Sequence, residues 1–82
     1  MQIFLSSKAE KRLSKLPRKM RDVIISRIEG LAEDPLAKSK KLRNREGWKY
    51  RVGDYRVLFT IENKKLIILS VAHRKEVYKI KV

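Results

Sequence analysis

The chain has 82 residues, enough for one domain spanning 1–82 and too few for two. An apolar fraction of 43% is ordinary for a globular protein and excludes a wholly disordered chain. Charge is the anomaly: 22 Lys and Arg against 9 Asp and Glu leave a net +13, a self-repulsion that folding does not require and that points to a polyanionic partner. The absence of Cys excludes a disulfide framework and thiolate chemistry. The start, Met1 to Ser6, lacks a charged n-region and a long apolar stretch, and no apolar run reaches membrane-spanning length. The expectation is a cytoplasmic protein with no signal peptide and no membrane contact.

Taken in chain order, Ile3 to Leu5 predicts a first strand. Ser7-Lys8-Ala9-Glu10 has capping-box spacing, with Ser7 as the N-cap of a helix and Glu10 reaching back. Ala9, Leu13 and Leu16 form one stripe of that helix. Pro17 stops it and opens a second helix at its first turn, whose wider stripe is Met20, Val23, Ile24, Ile28, Leu31 and Ala32. Asp34-Pro35 ends the second helix, because a residue before Pro is pushed out of the α region. Leu36 to Gly47 predicts an exposed basic loop carrying Lys38, Lys40, Lys41, Arg43 and Arg45. Such a charge run is either a solvated face or an RNA-backbone contact surface.

From Trp48 onward the pattern alternates with a period of two. Gly53-Asp54 predicts a two-residue type II′ turn between Trp48–Val52 and Tyr55–Glu62. Asn63-Lys64 is the next turn, Lys65 to Ala72 the last long strand, and Val77 to Val82 a short final element. The fold class is α+β: a strand, a helical hairpin, then an antiparallel meander forming one mostly antiparallel sheet.

Turn lengths predict registers. A two-residue loop at Gly53-Asp54 sets Arg51 opposite Arg56, and Lys49 opposite Leu58. One face then carries Tyr50, Val52, Tyr55, Val57, Phe59 and Ile61, a bed for the helices. The other carries Lys49, Arg51 and Arg56. Pairing Glu62 with Lys65 sets Arg56 opposite Val71 and brings His73 to the Arg56 side, together with an apolar remainder of Leu58, Ile67 and Leu69. Like charges opposed across a ladder destabilise a sheet, and such local conflicts are expected at functional sites. Each long cationic side chain alone could simply splay into water. The cluster with His73 and Arg74 favours an anion site, because converging cations are what phosphate recognition uses. Trp48 reads as core or interface, with base stacking the other use, and pattern does not decide between a packing and a polar role for Tyr78.

The runs Tyr50-Arg51-Val52-Gly53-Asp54-Tyr55-Arg56-Val57-Leu58-Phe59 and His73-Arg74-Lys75-Glu76-Val77-Tyr78 closely resemble the RelE/ParE toxin superfamily, and the resemblance extends over essentially the whole chain. It implies a RelE-like fold and a toxin neutralised by a cognate antitoxin in a hetero-oligomer. RelE-type members cut mRNA in the ribosomal A site without metal or other cofactor, the ribose 2′-oxygen attacking the adjacent phosphate and leaving a cyclic phosphate. By motif, the family's basic catalytic residues fall on Lys49, Arg51, Arg56 and Arg74, and its C-terminal Tyr on Tyr78. Arg51 stands where some relatives have Lys. His73 stands where relatives carry Lys or His, so its part in catalysis is less firmly implied. The patch of Leu58, Ile67 and Leu69 suits an antitoxin segment. The alternatives are a ParE-like toxin that inhibits DNA gyrase and is no nuclease, a basic RNA-binding module without catalysis, and a degenerate toxin with weak activity.

Overall fold

A computed structural model describes residues 1–43 and 45–75. The first strand, β1 (Gln2–Leu5), runs directly into helix α1 (Ser7–Ser14). Ser6 makes the junction. Its backbone is extended, its N–H donates to the Ile68 carbonyl at 2.9 Å, and its hydroxyl donates to the Leu69 carbonyl at 2.7 Å. The same oxygen accepts the Ala9 N–H at 3.1 Å, which caps the helix. The N-cap is therefore Ser6, not Ser7. An N-cap needs non-helical backbone, and the neighbouring strand holds Ser6 in that form.

Pro17 is the N-cap residue of α2 (Arg18–Leu31), one place before the expected first-turn position. Ile24, Ile28 and Leu31, with Ala32 just beyond, are buried at helical spacing, and Met20 packs against them. Val23 departs from the expected stripe and is 45% exposed. It lies 100° around the helix from Ile24, on the border of the apolar face.

The remaining elements are β2 (Lys40–Lys41), β3 (Trp48–Val52), β4 (Tyr55–Glu62) and β5 (Lys65–His73), giving a five-stranded sheet in the order β1-β5-β4-β3-β2. Among the described strands only β1 and β5 run parallel. The expected continuous loop from Leu36 to Gly47 thus contains a strand, with Lys40 opposite Lys49 and Lys41 opposite Trp48. Two residues are too few to display a period. Gly47, at φ +123, closes this turn: a Cβ there would sit 2.9 Å from the Phe59 carbonyl oxygen.

The β3–β4 hairpin has the register expected from its turn, with Gly53 at φ +58. The β4–β5 hairpin begins as expected at Glu62 and Lys65, then shifts by one residue between Leu58 and Phe59. Phe59 pairs with Ile68 and Leu58 with Ser70, so Leu69 is the extra residue of a bulge. Arg56 consequently faces Ala72 rather than Val71, and His73 faces Tyr55, away from Arg56's side. Burial gives the reason. Strict alternation would place Ser70 and Ala72 in line with buried Leu66 and Ile68. The bulge instead brings Val71 into the core.

The core joins Ala9, Leu13, Ile24, Ile28, Leu31 and Ala32 to the sheet residues Tyr50, Val52, Val57, Phe59, Leu66, Ile68 and Val71. Both helices thus cover one face. Trp48 packs against this core, its ring stacked on Phe59 at 6.0 Å. Among the described residues no helix is long and apolar enough to cross a membrane. The expected element from Val77 to Val82 lies outside the described residues.

Candidate nucleic-acid interface

The sheet face opposite the helices, open in the sense that no described helix covers it, gathers positive charge by register. Lys49 and Arg51 are two apart on β3 and share that face. Arg56 opposes Arg51 from β4, and Lys40 opposes Lys49 from β2. Two like-charged cross-strand pairs therefore sit side by side, each costing the sheet about 0.5 kcal/mol. They line an open cleft of about 200 Å³ whose walls are Lys38, Lys40, Lys49, Tyr50, Arg51 and Arg56. Among the described residues, five cations and one tyrosine surround it, without a carboxylate. Lys38 and Lys40, expected only as loop contacts, are part of the cleft. Lys41, Arg43 and Arg45 are exposed and lie outside its walls.

Arg51 and Arg56 also form one wall of a smaller nook of about 70 Å³, completed by Asp54, Tyr55 and Arg74. Arg74 arrives there because its N–H donates to the Asp54 carbonyl at 2.7 Å, which ties the end of β5 to the β3–β4 turn. Arg51 is steadied by Nε donating to the Gly53 carbonyl at 3.0 Å. Three arginines thus line a volume about twice that of a water molecule, with Asp54 the one acid among its described walls, a net positive setting that suits a tetrahedral oxyanion.

His73 lines neither cavity. Its ring meets Tyr55 edge-on at 5.1 Å, and its Nδ1 accepts the Lys75 N–H at 3.2 Å. These contacts shape the turn that carries Arg74. Tyr78 lies outside the described residues. Leu58 and Ile67 are half-buried on the open face, opposite Ser70 and Thr60. Leu69, expected beside them, is displaced into the bulge. Tyr50, Asp54 and Tyr55 were not expected at the site. Alternation assigns the tyrosines to the covered face; Tyr50 lies just past the two β3 residues that β2 pairs with, and Tyr55 opens β4.

Residues 3–78 match the family model of the ParE toxin of type II toxin–antitoxin systems, parDE. The chain belongs to the ParE toxin family. This ParE-family toxin also resembles solved RelE structures, in keeping with the RelE/ParE resemblance of its motifs. It is 30% identical to a chain of the RelBE2 toxin–antitoxin complex from Mycobacterium tuberculosis, with a TM-score of 0.79 over 89% of this chain and 96% of that one. The isolated RelE toxin of E. coli shares the fold at 18% identity, with a TM-score of 0.76 over 99% and 98% of the two chains. The RelB–RelE complex from Methanococcus jannaschii contains a chain 24% identical, with a TM-score of 0.70 over 94% and 96%. No curated protein sequence matches the chain.

Proposed function

We propose that this toxin is a ribosome-dependent mRNA endoribonuclease. The shared lining of one phosphate-sized nook by Arg51, Arg56 and Arg74, beside a larger cationic cleft, carries the reading. The substrate's 2′-oxygen forms a bond to the adjacent phosphorus while the bond to the 5′-oxygen of the next nucleotide breaks. The products are a 2′,3′-cyclic phosphate and a 5′-hydroxyl. The nucleophile is intramolecular, so positioning supplies much of the rate. Charge that builds on the phosphoryl oxygens is stabilised by Arg51 and Arg56. Tyr78 or Lys49 takes the 2′-proton. Arg74 neutralises the charge on the leaving 5′-oxygen, which takes its proton from water to give the 5′-hydroxyl; charge neutralisation suits a guanidinium better than proton donation. His73 acts by holding the segment that carries Arg74.

The partner in this reading is an antitoxin, as in the M. tuberculosis complex. An acidic, amphipathic segment would cover the cations and lie on Leu58 and Ile67. The test is purified toxin on mRNA-programmed ribosomes in magnesium buffer, with the cut ends mapped. Cleavage ending in cyclic phosphate is expected. The second reading, inhibition of DNA gyrase, is favoured by the ParE family match. A toxin that blocks gyrase supercoiling and cuts no message would establish it instead. RNA binding with no cut in either assay would leave only a binding module or a degenerate toxin.

A further inference from the structure

The cationic cleft does not end at Lys38 and Tyr50. Both residues also wall a second cavity of about 300 Å³, reached past the C-terminal half of α2 and lined further by Ser26, Arg27, Gly30 and Asp34. The two cavities therefore adjoin along the wall that Lys38 and Tyr50 make. The chemistry changes at the shared wall. The described walls of the cleft are five cations and Tyr50, whereas the second cavity offers a carboxylate, a hydroxyl and a guanidinium beside apolar Leu31. A carboxylate repels phosphate and accepts N–H donors. We infer that this cavity is a nucleobase-recognition pocket in which Asp34 reads the Watson–Crick edge of a guanine next to the phosphate held by the arginines. The inference rests on the RNA reading of the adjoining cleft.

Single-stranded RNA is read through hydrogen bonds to exposed base edges. Guanine presents N1–H and the N2 amino group side by side, and two carboxylate oxygens accept them together. Neither adenine nor a pyrimidine presents two adjacent donors on that edge. Arg27 supplies donors for the O6 acceptor. Asp34 sits on fixed backbone, its N–H donating to the Leu31 carbonyl at 3.1 Å and its carbonyl accepting the Ala37 N–H at 3.3 Å. Gly30 fits the same account. A glycine inside a helix is costly, and a Cβ at Gly30 would meet nothing within 4 Å. No packing contact demands the glycine, and its missing side chain leaves the cavity open.

The test reads equilibrium binding by fluorescence anisotropy, using labelled pentanucleotides with 2′-O-methyl riboses, so that nothing can be cut. The central base is guanine, inosine or adenine within an otherwise all-adenine strand. Inosine lacks only the N2 amino group. The wild-type protein should bind the guanine strand about tenfold more tightly than either other strand. Asp34→Asn should bring that ratio close to one. Gly30→Leu, which favours the helix and fills the cavity, should also lose the preference, with thermal unfolding at or above the wild-type temperature. Equal wild-type affinity for guanine and inosine, or a preference that survives Asp34→Asn, overturns the pocket. Guanine-selective binding by a protein that cuts no message overturns the nuclease reading and upholds the pocket.

Discussion

On the helix side of the sheet, Tyr50, Val52, Val57, Phe59, Leu66, Ile68 and Val71 interlock with Ile24, Ile28, Leu31 and the residues of α1. On the other side the same strands set Arg51 against Arg56 and Lys49 against Lys40. Every local rule agrees on the first face: apolar residues alternate inward, and a bulge even swaps Val71 into the core at the expense of regular pairing. The second face breaks the rule for opposed charges twice within one small cleft. A sheet selected for stability alone would not keep that arrangement. The contrast separates a packed face from the face to which the proposed function gives anion binding, and that reading implies that substitutions should separate cleanly between the two.

The largest effect is expected on the covered face. Phe59 is fully buried, and Phe59→Ala should cost about 3–5 kcal/mol, measured by urea unfolding. A loss below 1 kcal/mol would mean that the helix-covered core is not the source of stability. Gly47→Ala comes next, because its Cβ would meet the Phe59 carbonyl oxygen at 2.9 Å with φ at +123. It should cost about 2 kcal/mol and loosen β2, so amide exchange at Lys40 and Lys41 should quicken most.

On the open face the sign should reverse. Arg51→Glu turns a like-charged pair into an opposite one. The midpoint in urea should rise by the equivalent of about 0.5 kcal/mol while message cleavage is lost. Loss of both stability and cleavage would contradict the division between the faces. Lys41→Ala should do least. Lys41 pairs with Trp48 outside the cleft walls, so cleavage on saturated ribosomes should stay near wild type. The slope of log affinity against log salt should fall by about one.

How far the molecule could be read in advance divides along similar lines. The β3–β4 hairpin was legible to the residue, since a two-residue turn leaves one register open, and Lys49, Arg51 and Arg56 came with it. The β4–β5 register was legible only as far as Phe59. The run from Leu66 to Ala72 is apolar enough to hide which residue is extra, and choosing Leu69 depends on what Val71 meets in the assembled core. That one residue carried His73 to the other side. Ser6 rather than Ser7 caps α1 because of hydrogen bonds to β5, more than sixty residues away in sequence. Lys38 and Lys40 looked like loop charge, since a two-residue strand leaves no periodic trace. Arg74 reaches the nook through a backbone hydrogen bond to Asp54 that no side-chain pattern announces.

The central claim is that the open face exists for phosphate chemistry and not for stability, and Arg56→Ala tests it most directly. Arg56 lines both the cleft and the nook. Single-turnover cleavage should be followed on ribosomes saturated with the variant, alongside its unfolding midpoint. The account predicts a rate lower by about two to four orders of magnitude, the scale of a lost transition-state charge stabiliser, with unfolding unchanged or slightly delayed. Cleavage at the wild-type rate, or a rate loss that merely tracks unfolding, would contradict it.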